Sequence, residues 1–323
     1  LPGRLFLMNF SNLLAIARYE TKLLLRTARF WILCAIGFIT ASAMAGFVIL
    51  FYKFGSGEVS LGGLFAVNTG GYYSLVYFNT VLNIAIIFFV VNIISKDDSS
   101  RIKDVLLSKP VTSFEIVVGK YLGVVVPVSV VAGFTMIISI LLSVIFLDVP
   151  IKFQNYVSYF LLVNIPSILY ITAFGFFMVF LIKNRFAVIF LFLGYVVAIW
   201  FWLSNYFYNL LDFGCYRIPL FASDLIGFVN IDKVILQRIL YVILSLIFIG
   251  ASILMYPRLR QIKKEYDVLK LLMGFFITSA SLIIYHFPAE FNERTEYRKK
   301  ALQAEKEYVD YKAPLIKHLS LIH

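Results

Sequence analysis

The sequence is poor in charged residues, in cysteine and in histidine. Only 15% of its 323 residues are Asp, Glu, Lys or Arg, and 61% are hydrophobic, whereas about a quarter of a soluble domain is charged. A soluble domain could not bury so much apolar surface, so that class is excluded. We expect an all-α, polytopic helical membrane protein.

The few reactive side chains exclude several further classes. Cys34 lies in an apolar run and Cys215 in a loop, so no disulfide framework is predicted. The three histidines lack metal-ligand spacing, and no G-x-x-x-x-G-K-[ST] phosphate loop occurs. We therefore expect no metal, no cofactor and no catalytic residue in this chain, and predict that it is not itself an enzyme.

The net charge of +11 does not indicate a nucleic-acid partner, because no basic face with interleaved aromatic residues occurs. Lys and Arg are instead concentrated in the segments between apolar runs. These segments are 1–29, 96–120, 183–185 and 257–270. The positive-inside rule places them, and with them the amino terminus, on the cytoplasmic side of the cell membrane.

Long apolar runs between residues 30 and 256 predict a six-span domain. The runs are 30–52, 74–95, 119–147, 159–182, 186–203 and 237–256. The glycine-rich stretch 53–73 is expected to be a flexible extracytoplasmic loop. The spans carry almost no acidic or basic residues, which ion-coupled carriers generally need, so energy for any transport is expected to come from elsewhere.

Segments on either side of this domain have their own character. Residues 1–29 predict an amphipathic helix in the cytoplasmic interface of the lipid bilayer, with cations toward anionic headgroups. Residues 257–270 form a basic cytoplasmic linker. The run 271–287 predicts a seventh span, although 17 residues is the lower limit for a crossing. Residues 288–323 are a charged, extracytoplasmic tail that we expect to continue beyond its last residue.

The most polar stretch in the first half of the chain is 96–120, between spans two and three. Asp97 and Asp98 are residues typical of a helix start. An apolar stripe follows at i, i+3 and i+4, and consists of Ile102, Val105 and Leu106. The stripe predicts a short amphipathic helix, although an ordinary solvated loop has the same pattern.

A second helix is predicted directly after this stretch. Pro110 ends the first helix, because the residue before a proline is displaced from the α region. Thr112 and Glu115 have the T-x-x-E spacing of a capping box ahead of a new apolar run. We therefore predict a break at Pro110 and a capped helix that continues into the membrane.

The stretch DVLLSKPVTSFEIVVGKYLG resembles the signature of ABC-2-type transporter permeases. The matching residues are Asp104, Leu106, Leu107, Ser108, Pro110, Val111, Thr112, Glu115, Gly119 and Lys120. The six-span unit, the amphipathic entry helix and the position of the loop after span two are similar as well. The resemblance covers about residues 9–260.

The resemblance implies the membrane-spanning permease subunit of an ABC transporter. A second permease subunit, identical or different, would pair with it, and separate ATP-binding cassette subunits would bind ATP and Mg²⁺ and drive transport, by family expectation export. Residues 97–107 would be the coupling helix and 110–120 the turn that braces it. We expect the apolar stripe to contact the ATPase and three charged residues to orient it, namely Arg101, Lys103 and Asp104.

Four amides interrupt the predicted spans: Asn79, Asn83, Asn92 and Asn164. Asn79 and Asn83 are i, i+4 neighbours and share a helix face. Amides in membrane helices generally hydrogen-bond to neighbouring helices, and we expect this here. The alternative is that they line a translocation path or a seam between subunits.

Two other functions remain open from the sequence. The charged tail suggests a membrane anchor for an extracytoplasmic domain beyond residue 323, of the metallo-aminopeptidase-like kind found in some relatives of the permeases. A secondary carrier or channel is the other, with the four amides as its only candidate pathway. The transported substrate cannot be predicted from these residues.

Overall fold

The structure, a computed structural model, describes most of the chain between residues 10 and 285. The described residues are 10–55, 61–99, 111–146, 152–182, 184–199, 201, 210–215, 220, 222–223, 227–228, 231–256, 267, 269–285, 296, 300 and 303–304. Of two compact units, the first contains residues 1–280 and the second residues 281–323. The second unit has few described residues, all of them helical.

Helices form nearly all of the described part. They are α1 (Phe10–Leu25), α2 (Ala28–Gly55), α3 (Leu61–Ser99), α4 (Ser113–Phe146), α5 (Phe153–Tyr159), a π-helical turn (Phe160–Asn164), α6 (Ile165–Leu181), α7 (Arg185–Ala198), α8 (Ile231–Met255) and α9 (Leu269–Tyr285). Two antiparallel strands of two residues each, β1 (Ala222–Ser223) and β2 (Gly227–Phe228), precede α8. The prediction of a polytopic helical protein is confirmed at this level.

Five helical segments are long and apolar enough to cross a membrane. They are Ala28–Phe47, Gly71–Ile94, Ser113–Ile145, Phe153–Leu181 and Ile231–Met255. Two further apolar helices, α7 and α9, have 14 and 17 residues in the described part. The six-span arrangement with a seventh span therefore stays a prediction.

Several predicted boundaries are wrong. Residues 61–73, predicted to be loop, are helical and belong to α3. The fourth predicted span begins at Phe153 rather than at 159, and the sixth at Ile231 rather than at 237. The cause is the same in each case: polar residues or glycines flank the apolar runs, and helical backbone continues through them because it satisfies its own hydrogen bonds.

Helix α3 lies at the centre of the bundle, where it packs against α2, α4, α6 and α7. Its buried side chains include Phe78, Leu82 and Ile86, and they join α4 and α6 in one hydrophobic core. Helix α8 packs mainly on α6, and α1 on α4. Large apolar side chains that the bundle leaves exposed, such as Phe134 on α4 and Phe190 on α7, are the surface expected to face lipid.

Candidate functional site

Most residues predicted to couple the chain to an ATPase lie outside the described residues. These are Arg101, Ile102, Lys103, Asp104, Val105, Leu106 and Pro110. Asp97 and Asp98 are described, but they end α3 rather than begin a new helix. That prediction is wrong because α3 continues through the polar residues that follow its apolar run.

The start of α4 has the predicted capping box. The backbone N–H of Glu115 donates to the Thr112 hydroxyl over 3.1 Å, and the Thr112 N–H donates to the Glu115 carboxylate over 2.9 Å. Both side chains are buried. The two bonds satisfy N–H groups that a helix start otherwise leaves unpaired, so α4 begins at a fixed point directly after residues 100–110.

Lys120, five residues after Glu115 on α4, forms a buried ion pair. Its ammonium group lies 2.6 Å from the carboxylate of Glu20 on α1, and the two side chains are 4% and 7% exposed. A buried charge is stable only when it is paired in this way. The pair therefore joins α1 to the beginning of α4. This part of α4 is nearest to residues 100–110, the segment between α3 and α4 that we call the polar loop.

Lys120 is one of the predicted site residues, whereas its partner Glu20 is not. The helical periodicity of the sequence indicates this position: Glu20 lies on the same face of α1 as Leu13, Ala17 and Leu24, and this face is buried. An acid on the apolar face of an otherwise basic helix indicates a partner on another helix. Of the predicted site residues, Lys120 contacts α1, and Glu115 belongs to the cap of α4.

Two glycines of α4 allow α1 to approach closely. A Cβ atom on Gly123 would lie 2.6 Å from the Cβ of Glu20, and one on Gly119 would lie 2.9 Å from the Cβ of Ile16. Thr21 also donates a hydrogen bond to the Gly123 carbonyl over 3.3 Å. We call this contact, made by Glu20, Gly119, Lys120 and Gly123, the α1–α4 junction.

Three of the four predicted amides form a second polar feature, inside the bundle. Asn79, Asn83 and Asn164 are each 0% exposed. None of their side-chain N or O atoms has a hydrogen-bond partner in the described part of the chain, so the expected bonds between helices are absent there. Asn92 is half-buried and lies about two turns beyond Asn83.

Asn79 and Asn164 lie at about the same depth. Gly71 faces the ring of Tyr156, and Val90 faces Gly175. The two contacts are separated by the same number of residues in α3 as in the helical segment from α5 to α6, so these two segments run parallel to each other. Asn79 lies eight residues after Gly71, and Asn164 lies eight residues after Tyr156. Asn164 is also the last residue of the π-helical turn, and such turns are frequent at functional sites.

A third polar feature lies at the other end of α3, around Arg238. The Arg238 side chain is buried in the second turn of α8, and its guanidinium donates to the backbone carbonyls of Asp212 and Phe213. Gln237 donates to the Asp212 carbonyl over 3.1 Å, and Ser167 to the Phe213 carbonyl over 2.6 Å. We call these contacts the Arg238 network.

The Arg238 network stabilises a non-helical segment, residues 210–215. Buried backbone outside a helix must find donors and acceptors elsewhere, and side chains of three helices provide them. Tyr241 donates to the Leu210 carbonyl and Tyr72 to the Cys215 carbonyl. Arg238 and Lys120 are the few charged residues of the predicted spans, and the structure buries both of them.

Cys215 closes this segment with a left-handed backbone, φ 61°. Burial raises the pKa of its thiol, so the group is protonated at neutral pH. Neither Cys34 nor Cys215 forms a disulfide bond.

These features join helices to one another and to the segment 210–215. Among the residues with described positions, no three His, Cys, Asp or Glu side chains converge as metal ligands would. The polar groups instead lie at three depths: the α1–α4 junction at one end of α3, the Arg238 network at the other, and the buried amides between them. No protein-family model matches the chain, and no curated protein sequence matches it.

Proposed function

We propose that this chain is the permease subunit of an ATP-driven transporter, and that a separate ATP-binding cassette subunit docks on the polar loop between α3 and α4. A second permease subunit would complete the pathway. The proposal rests on the way in which the polar loop is connected to α4. The loop enters α4 through a buried capping box, and Lys120 then joins α4 to α1 by a buried ion pair.

A connection of this kind suits a loop that transmits force to the helix after it. Loops usually end in exposed, weakly stabilised turns and tolerate movement independent of the elements they connect. Here a displacement of residues 100–110 would move α4 and α1 together, because the two helices are in close contact and are joined by the Glu20–Lys120 ion pair. The resemblance of residues 104–120 to permease signatures indicates the same role.

Co-purification from the native host tests the proposal. The wild-type chain should retain a cassette ATPase in mild detergent, and the triple variant I102D/V105D/L106D should lose it, because three carboxylates replace the apolar stripe. A matched control, K300D/Q303D/A304D, places three carboxylates at exposed positions and should retain the ATPase. An ATPase absent from the wild type, or present equally in all three, would contradict the proposal.

The buried amides, which have no hydrogen-bond partner among the described residues, favour a second candidate, a carrier that needs no ATPase. Polar groups without partners inside a bilayer are costly and are retained for function. If no ATPase is recovered, the substitution N79L/N83L/N164L becomes the decisive variant. A carrier would lose transport with this change, whereas amides that only pack the core would leave transport in place.

A further inference from the structure

We propose that the surface of α1 facing away from α4 is a binding site for anionic phospholipid headgroups. The site consists of four exposed cations, Arg18, Lys22, Arg26 and Arg29. They follow one another at intervals of four, four and three residues, from α1 through the turn into α2. The inference goes beyond the proposed function and does not depend on it.

The ion pair at the α1–α4 junction determines the charge of this surface. Glu20 is the only acidic residue between positions 10 and 31, and it faces inward to Lys120. None of the four cations has an ion-pair or hydrogen-bond partner among the described residues. The surface therefore carries four positive charges with no acid beside them in the described part of the chain, which favours a polyanionic ligand or an anionic surface.

The apolar residues beside the cations favour a lipid over an acidic protein. Phe10, Leu14 and Leu25 are exposed, and at about 100° per residue they fall within about 60° of one another on α1. Arg18 and Lys22 follow on the side away from the buried face. A helix with this order rests its apolar strip on acyl chains while its cations reach the phosphates.

The connection to α2 places this helix at the edge of the membrane. Only Arg26 and Thr27 separate α1 from α2, whose apolar segment begins at Ala28. The exposed indole of Trp31 donates to the Leu25 carbonyl over 3.1 Å, across the turn. Tryptophan is enriched at this depth of a bilayer, so α1 lies where phosphate groups are.

Native mass spectrometry tests the site on the full-length protein. The purified protein is incubated with equal amounts of phosphatidylglycerol and phosphatidylcholine, and the retained lipids are counted. The wild type should prefer phosphatidylglycerol. The variant R18Q/K22Q/R26Q/R29Q should lose at least about tenfold of this preference, because each cation near a charged bilayer contributes up to about fivefold.

Two controls separate a site from net charge. The variant R185Q/K270Q/K300Q neutralises exposed cations elsewhere and should keep the preference, as should R18K/R26K/R29K, which keeps the charges on α1. An unchanged preference in the quadruple glutamine variant would overturn the proposal. Equal losses in the quadruple variant and the distant control would overturn it too, as would a quadruple variant that keeps its lipids and instead loses a protein partner.

Discussion

The two ends of the bundle each bury a cation, and the hydrogen-bond acceptors of the two cations differ. Lys120 meets a carboxylate from another helix. Arg238 meets backbone carbonyls of a non-helical segment, assisted by Gln237 and Ser167. The first arrangement joins two regular helices, each of which satisfies its own backbone hydrogen bonds. The second arrangement satisfies the carbonyl groups of a non-helical segment, and several side chains donate hydrogen bonds to them. The loss of any one donor is therefore partly offset by the others.

The largest effect should follow from removing the carboxylate of the first arrangement. Glu20→Ala leaves the Lys120 ammonium buried without a counter-charge, and we expect a loss of about 3–5 kcal/mol in the free energy of unfolding. The double variant E20A/K120M should recover most of this loss, since no bare charge remains. Unfolding in mixed micelles measures both, and a double variant as unstable as the single would contradict the ion-pair account.

A somewhat smaller effect should follow at Arg238. Arg238→Met removes the guanidinium donors, but Gln237 and Ser167 still donate to the same two carbonyls, so we expect a loss of about 2–4 kcal/mol. Arg185→Met is the control, because Arg185 is exposed and lies over the ring of Phe186, and it should stay within about 0.5 kcal/mol. If both variants unfold alike, Arg238 does not stabilise the segment.

The close approach of α1 to α4 can be tested at Gly123. An added methyl group would overlap the Cβ of Glu20, so Gly123→Ala should cost about 1–3 kcal/mol. Gly46 is helical with open space at its Cβ position, and Gly46→Ala should be neutral or stabilise by up to about 1 kcal/mol. A stabilised Gly123→Ala would show that the two helices are not in tight contact.

The smallest effect is expected at the capping box. Thr112→Val removes the hydroxyl that accepts from the Glu115 N–H, at a cost of about 1 kcal/mol. Hydrogen exchange should accelerate at the first turn of α4 and not at its centre. Faster exchange throughout α4 would mean that the cap affects more than the helix start.

The sequence predicted the helical class and the cap, but not the partners of the buried charges. Periodicity and hydropathy identify apolar faces, and the T-x-x-E spacing is local, so both can be read along the chain. Glu20 and Lys120 are 100 residues apart, and Arg238 meets a segment about 25 residues earlier. Such pairings depend on how helices pack, which one sequence does not specify.

The helix boundaries were missed for a related reason. Residues 61–73 are rich in glycine and weakly polar, a composition typical of loops, yet they form the first part of α3. Gly71 is needed there because the ring of Tyr156 occupies the position of a side chain. A glycine required by packing and a glycine required by a turn look alike in the sequence.

Site-specific photo-crosslinking tests most directly whether the polar loop contacts an ATPase. A photoreactive phenylalanine is introduced at Val105, within the apolar stripe, and separately at Phe190, an exposed apolar position on α7. We expect an adduct between this chain and a cassette ATPase after illumination of cells that carry the probe at Val105, and none from Phe190. No ATPase adduct from Val105, or equal adducts from both positions, would contradict it.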